Sequence, residues 1–579
     1  MSKREELLQS YENGNFLETV YACSSNDHND RSSVVFDLVA LNNEGLIDVV
    51  GAFQSLKNES SNSPDFFLTR HVFEKALPEL EASVPAVMHC VLQLYLDAGQ
   101  DLAASTVINS FFDFCTKKAS RPHEALEVIK ASPGKLAHLL PATLIAGSQI
   151  DSSFYLCETM RLCKDENIEL KRWALFSIGK LNLPEDIKKF GDALSALEYA
   201  AVQETDDQIL SSVIKSAFPL LQRDKSQEPR AIAIIISALR KGDDYVLHAA
   251  SEIFGFYTGE LPTTLREAFF VDLLRVKPTH KGTLDNVDYG ISHLLKNGNS
   301  EQAIQFLEAL LLRHSGELTI EVFDSAISEI VSNKAFISKV LTRWFLRGDR
   351  VLCEAVHEIV WAHHGSGLLL EIDVTELNPS DSGHILFIAR KAIGYLFMQP
   401  LSAASVLISL MRNATDDKVL KKLGELLLDP LLLNYTGKAR DYIIKQSGSE
   451  SGKVKETIDN ALKDINTYLE ELRSVGSLSA LHPSEAQREA YNRHYSQLMA
   501  ESWKAAEAKS VVLNLFPKSV LLYGKKLINY VYGSDGQSHR QEIPLQCLGS
   551  EMEYARMHIF DPFGMDYMLR VFRNEQLKT

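Results

Sequence analysis

Along much of the chain, apolar residues recur at intervals of three and four, the period of one buried face on an α-helix. The stretch after Asp243-Asp244 shows this most plainly. Val246, Ala250, Ile253, Phe254 and Tyr257 fall at i, i+4, i+7, i+8 and i+11. The two aspartates sit just ahead of that stripe. There a carboxylate can accept from free backbone N–H groups and face the positive end of the helix dipole. The pattern predicts a helix through Tyr257, capped at its start by Asp243 or Asp244.

The same unit recurs. The first stripe residues of successive predicted helices are Leu170, Ile209, Val246, Val287, Phe323, Leu352, Ile385 and Val419. They lie 39, 37, 41, 36, 29, 33 and 34 residues apart. Acidic residues precede several of them, at Asp206-Asp207, Asp349 and Asp416-Asp417 as well as Asp243-Asp244. Each interval has room for one more helix and two short turns. Two segments resemble HEAT repeats. One is Ile168 to Leu181, with Lys171-Arg172-Trp173-Ala174-Leu175 and Ile178-Gly179; the other is Val246 to Gly255, with Ala249-Ala250 and Ile253-Phe254-Gly255. The resemblance covers about residues 165–430. It implies a mostly α fold, an α-solenoid of antiparallel helix pairs that binds partner proteins along its concave face. A large non-repeating helical bundle is the alternative, and the even spacing favours the solenoid.

Three divisions follow. Residues 1–165 read as irregular helical units of the same superhelix. Helices are expected at 4–22 and 33–57, with polar loops from Ser24 to Ser33 and from Lys57 to Asp65, and no repeat period can be fixed. Residues 166–446 hold the regular repeats, interrupted from Gly365 to Gly383. Within that interruption Leu368 to Leu377 alternates like a strand between turn residues, in a loop long enough to carry a function or merely to pad two repeats. Ser447 to Gly452 reads as a polar, flexible joint.

Residues 453–579 form the third division. Two long helices are expected at about 453–474 and 485–510, packed as an antiparallel pair that closes the solenoid. Ser484 and Gln487 suit a capping box for the second. Beyond them Lys518–Gly524, Leu527–Tyr532, Gln541–Cys547 and Glu551–Phe560 read as short strands. Asp561-Pro562 opens a final helix with Phe563, Tyr567, Leu569 or Met568, and Phe572 available for burial. The expected end is a small antiparallel β module capped by that helix.

Composition narrows the function. With 45% hydrophobic and 23% charged residues the chain is ordinary globular material. Its net charge of −16 opposes non-specific binding to phosphate backbones. The acid is uneven: residues 481–579 hold 12 Lys and Arg against 11 Asp and Glu, and the other 480 hold 48 against 65. No apolar run approaches the ~20 residues of a membrane helix, and the polar start is unlike a signal peptide. Seven scattered cysteines without a C-x-x-C pair suit reduced thiols in a cytoplasmic protein.

Catalytic constellations are sparse. Gly448 to Val454 looks like a phosphate-binding loop but is one residue short and ends in Val. Cys353, His357, Glu358, His363 and His364 cluster around Trp361, yet no His-Glu-x-x-His occurs, so they read as structural residues. No catalytic residue, metal or cofactor is assigned. In the tail, Arg540, Arg556, Arg570 and Arg573 interleave with Tyr530 and Tyr554, residue types favoured at binding hot spots and on nucleic-acid surfaces. These six are the candidate partner-binding residues, against the plainer reading of tyrosines in a small core and arginines on its rim. The expected function is a cytoplasmic, non-enzymatic scaffold within a multi-protein complex. A nucleic-acid-associated accessory subunit that uses the tail is the second reading. An enzyme built on the histidine cluster or the Gly365–Gly383 insertion is the third.

Overall fold

The computed structural model describes residues 3–24, 28–58, 65–99, 101, 103–183, 187–363, 367–377, 381–476, 483–509, 526–532, 538–544 and 553–577. They divide into two compact units, Met1–Phe306 and Leu307–Thr579.

In the first unit, short turns join α1 (Ile168–Ile178), α2 (Ile187–Gln203), α3 (Asp207–Arg223), α4 (Glu228–Lys241), α5 (Asp244–Tyr257), α6 (Thr263–Asp272) and α7 (Lys281–Lys296). Alternate helices pack side by side: α1, α3, α5 and α7 make one row, and α2, α4 and α6 the other. This is the HEAT-like α-solenoid arrangement of stacked helix pairs. Leu170, Ile209, Val246 and Val287 are all buried, as their stripe positions require.

The same stacking runs back to the start of the chain. Lys3–Asn13, His28–Asn43, Phe66–Ala76, Thr106–Thr116 and Leu140–Ile150 continue the row of α1. Their period is hidden because the units are built from uneven pieces, among them the one-turn helix Val49–Phe53 and the tight turns Leu77–Glu79 and Lys135–Leu139. The helix expected at 33–57 is accordingly two. His28–Asn43 stops before Gly45, whose φ of 75° breaks the helix, and Asp48 then caps Val49–Phe53 by accepting from Gly51 N.

Close approach within the row of α1 falls on small residues. Gly179, Ser216 and Gly255 occupy successive repeats 37 and 39 residues apart. Gly179 N donates to Ser216 Oγ (3.2 Å), which donates to Leu175 O (2.5 Å). A Cβ on Gly255 would sit 2.8 Å from Asn286 O. Polar contacts also step by one repeat. Arg223 donates to Leu181 O (2.8 Å), Arg275 to Leu239 O (2.7 Å), and Lys215 pairs with Glu252 (2.7 Å).

The cap of α5 differs from expectation. Neither Asp243 nor Asp244 caps it. Asp207, one repeat upstream, accepts from Asp243 N (2.6 Å) and Tyr245 N (2.7 Å). Asp243 has φ −123° and ψ −126°, away from the extended geometry that turns an N-cap carboxylate onto its own helix, and Asp244 is engaged by Lys277 (2.7 Å).

The second unit repeats the arrangement. It contains α8 (Lys334–Arg347), α9 (Arg350–Ala362), α10 (Ser382–Leu396), α11 (Pro400–Asn413), α12 (Asp417–Leu426), α13 (Lys438–Ser449) and α14 (Gly452–Val475). α8, α10, α12 and α14 share a row, and α11 packs beside α13. α9 packs on α8 and α10. Leu352 and Ile385 therefore mark neighbouring helices that pack on each other, not two repeats. The intervening insertion had filled out the spacing.

Residues 368–373 of that insertion form no strand before the turn at 374–376, and their partners are hydroxyls on helices. Leu370 N and Ile372 N donate to Ser405 Oγ and Ser409 Oγ (2.9 Å each), and Ser402 Oγ donates to Leu368 O (2.7 Å). Leu370 and Ile372 are buried while Leu369 and Val374 are exposed, so the alternation is real without a second strand.

The C-terminal third departs furthest from expectation. Ser447 to Ser449 belong to α13, and Ser447 is buried with its hydroxyl on Asp459, so no flexible joint forms there. α14 packs on α12 and α13. α15 (Glu485–Lys509) opens with the expected capping box, Gln487 N to Ser484 Oγ (3.3 Å) and Ser484 N to Gln487 Oε1 (2.9 Å). It closes nothing: from Glu485 to Ala508 only Tyr491 and Tyr495 are even half-buried.

β1 (Lys526–Tyr532) pairs antiparallel with β2 (Ser538–Pro544), and among the described residues no other strand joins them. The expected strand Lys518–Gly524 lies outside those residues. Part of Glu551–Phe560 is a helix, α16 (Arg556–Phe560), and α17 (Pro562–Asn574) follows, capped by Asp561 as expected. α17 packs on α10. The expected β module capped by a helix is thus not found.

Candidate protein-binding surface

The histidine cluster disperses onto separate partners. Cys353 is buried with Sγ 3.6 Å from Trp344 O, and burial pushes its thiol up to about 12. His357 Nδ1 lies 2.8 Å from Tyr395 O, and burial lowers its pKa. His363 Nδ1 lies 2.9 Å from Ile359 O. His364 lies outside the described residues, and among those described no three His, Cys, Asp or Glu side chains could hold a metal. Gly448 to Val454 is not a phosphate loop. Its first residues finish α13, and Lys453 Nζ is held by Asp417 (2.6 Å). That pair lines a polar groove of about 620 Å³ between α12 and α14.

The six candidate tail residues fall into three groups. Tyr530 and Arg540 are register partners across the hairpin. Tyr554 and Arg556 belong to residues 553–560, which several contacts hold in place. Tyr554 OH is 3.1 Å from Tyr495 OH on α15, and its ring stacks on His558 (5.8 Å), which meets Tyr491 edge-on (5.7 Å). Arg556 lies over the Tyr468 ring at 6.0 Å. Glu553 Oε1 accepts from Gly437 N (2.6 Å), and Asn434 Oδ1 accepts from Met557 N (2.8 Å). On α17, Arg570 is exposed and paired with Asp566 (2.8 Å), whereas Arg573, also exposed, donates to Gly394 O (2.6 Å). Arg573 is therefore a structural anchor rather than a free contact residue.

The surface around these residues is more apolar than its sequence suggests. Phe563 and Tyr567, expected to be buried, are 86% and 72% exposed, because α17 turns Leu569 toward α10 instead. Val571 continues the exposed stripe of α17, and Ile559 and Phe560 precede it on α16. α14 exposes Tyr468, Leu472 and Val475, and α15 exposes Leu498, Met499 and Trp503. Sequence reasoning passed over the last three. Their signal was present: Tyr491, Tyr495, Met499 and Trp503 stand four apart on a long helix.

No family model matches the chain, and no curated protein does. Solved structures with similarity include an engineered protein (11% identity, 80% of this chain and 99% of that one, TM-score 0.22). Kap95 in complex with Nup1 is similar at 10% identity over 79% of this chain and 74% of that one, with TM-score 0.26. Kap95p bound to RanGDP is similar at 10% identity over 80% and 76%, with TM-score 0.25. At such scores the fold rests on the helix contacts described above. Among the described residues no helix is long and apolar enough to cross a membrane.

Proposed function

We propose that this chain is a non-enzymatic helical-repeat scaffold that binds a partner protein through the C-terminal part of its second unit. One observation carries the reading. Among the described residues, sixteen large apolar side chains of the second unit are exposed, and twelve of them lie between Tyr468 and Val571. Water-exposed apolar surface gathered in one region marks interaction sites, and tyrosine, tryptophan and arginine are the residues that dominate them. Arg556, Arg570 and Tyr554 border it; Tyr530 and Arg540 extend the proposal to the hairpin. The concave face of the repeats is a further proposed contact.

The test is co-purification of the tagged full chain under native conditions, followed by a Trp503→Ser/Phe563→Ser/Tyr567→Ser variant. A stoichiometric protein partner that the variant loses while keeping its melting temperature supports the proposal. Recovery of the chain alone, or a partner retained by the variant, refutes it.

A further inference from the structure

The last turn of α10 leaves backbone carbonyls that the helix itself cannot satisfy. Two consecutive ones are taken by side chains of two other helices. Arg573 Nε on α17 donates to Gly394 O (2.6 Å), and its guanidinium lies over the Tyr395 ring at 5.4 Å. His357 on α9 meets Tyr395 O through Nδ1 (2.8 Å). A carbonyl only accepts, so Nδ1 carries the hydrogen and Nε2 is left to take up a proton. A half-buried imidazole and a guanidinium thus hold neighbouring carbonyls at the end of α10. The same end of α17 is gripped by two more cations, Lys391 through Arg573 O (2.6 Å) and Arg390 through the Glu575 carboxylate (2.6 Å).

The groups around His357 come from three helices. Its own helix brings Glu354 and the Trp361 ring (5.9 Å), α10 brings the Tyr395 carbonyl, and α17 brings Arg573. Burial opposes the imidazolium most strongly, and the Arg573 charge opposes it too. The carbonyl and Glu354 favour it and are outweighed, so the pKa lies below its ordinary 6.5. The coupling is reciprocal: the repulsion that Arg573 exerts on a proton at His357 is exerted equally on Arg573. When α17 leaves, that repulsion leaves with it, and the imidazole takes up its proton more readily. The undocked state therefore binds more protons. Docking keeps its full strength above the ordinary value of 6.5 and weakens as pH falls below it.

We propose that His357 is a pH-sensitive latch whose protonation loosens α17 from α10. The latch needs no partner protein and is measured on the chain alone, so it stands or falls apart from the function proposed above.

Amide exchange on the full chain provides the test. Protection over α17, corrected for intrinsic exchange, is compared at about pH 7.5 and about pH 5.5. One pKa unit of coupling is about tenfold in the docking equilibrium, so protection is expected to fall roughly threefold to tenfold in acid. His357→Asn keeps an amide donor for Tyr395 O but has no proton to gain, and its protection should be equal at the two pH values. Arg573→Gln should dock more weakly and lose the pH dependence. His558→Asn changes an imidazole on α16 and should leave the dependence in place. Equal protection at both pH values in the unaltered chain overturns the proposal. So does a dependence that survives His357→Asn, or one that His558→Asn removes. Should His357→Asn fail to fold, the His357 imidazole is titrated by NMR with carbon-13-labelled histidine. A midpoint that rises in Arg573→Gln supports the latch, and an unmoved one overturns it.

Discussion

The first unit and the stretch from Tyr468 to Val571 treat apolar side chains in opposite ways. Residues 1–306 hold 29 Lys and Arg against 42 Asp and Glu, a net of −13, and their exposed large apolar side chains are scattered from Phe36 to Tyr289. Residues 307–579 hold 31 against 34, a net of −3, and their exposed apolar residues gather near the end. The cause is visible on α14. Ile458, Ala461 and Ile465 are buried against the neighbours of that helix, while Tyr468, Leu472 and Val475 prolong the same side of it into solvent. In a stack each helix is covered by the next repeat. A stripe that outruns its neighbours remains available, and α15 and α17 add two more such faces. The first unit thus covers most of its own apolar stripes, and the end of the second leaves its stripes exposed.

If that contrast is right, the largest losses should come from small or polar positions inside the first unit. Gly179→Val forces a side chain into the Ser216 backbone, and the α1–α3 contact should cost about 3 kcal/mol or more to re-form. Calorimetric or denaturant unfolding measures it, and a loss below about 1 kcal/mol would mean that the row contact is looser than described. Arg121 is the polar counterpart. It is buried, and donates to Leu80 O (2.7 Å) and Phe114 O (3.0 Å). Arg121→Met leaves those carbonyls without their donor and should cost about 2 kcal/mol in the same assay.

A third test separates capping within a repeat from capping between repeats. Asp207→Ala removes the acceptor for two N–H groups at the start of α5 and should cost about 1 kcal/mol. Asp243→Ala, at a largely exposed side chain that caps nothing, should stay within about 0.5 kcal/mol. Equal losses in the two variants would return the cap to Asp243.

That pair also shows what the sequence makes legible. The stripe Val246 to Tyr257 and a helix opening near the Asp243-Asp244 pair could be read directly, because periodicity is local. Which aspartate supplies the cap could not, because Asp207 reaches α5 only once the repeats are stacked. The repeat count slipped for a related reason: residues 363–381 between α9 and α10 are about as long as a helix with its turns, so spacing alone could not tell insertion from repeat. The serines of α11 that hold the insertion were unreadable as its partners, since their role needs Leu370 and Ile372 beside them. At the candidate surface, Arg556 and Tyr554 were legible as residue types. The bond from Arg573 to Gly394 O and the outward turn of Phe563 and Tyr567 were not, because α17 has apolar residues on both sides and only its docking on α10 chooses between them.

A smaller effect is expected from pH. Burial pushes Glu252 up, but hydrogen bonds from His248 and Lys215 and their charges outweigh it and hold the carboxyl down at about 2, against 4.5 unfolded. A group with a depressed folded pKa contributes its full stability above the unfolded value and loses it as pH falls through the folded one. The first unit should therefore lose stability between pH 4.5 and about 2. Glu252→Gln should flatten that acid limb in thermal melts by lowering the melting temperature near neutrality toward its acid value. An unchanged acid limb would show that this inter-repeat pair is too well solvated to matter.

The last expected effect is the most pointed one. The two sides of α17 contain similar side chains, yet Leu569 is 6% exposed and Phe563 and Tyr567 are 86% and 72% exposed. Leu569→Ala should cost about 2 kcal/mol, seen first as faster amide exchange across α17 rather than as global unfolding, since it is the one buried side chain of that helix. Phe563→Ser/Tyr567→Ser should change stability by no more than about 0.5 kcal/mol, because neither ring leaves a cavity. A clear loss in the double variant would mean that this chain itself covers the outer face of α17, and the contrast between a self-completing first unit and an open end would then fail at its strongest point.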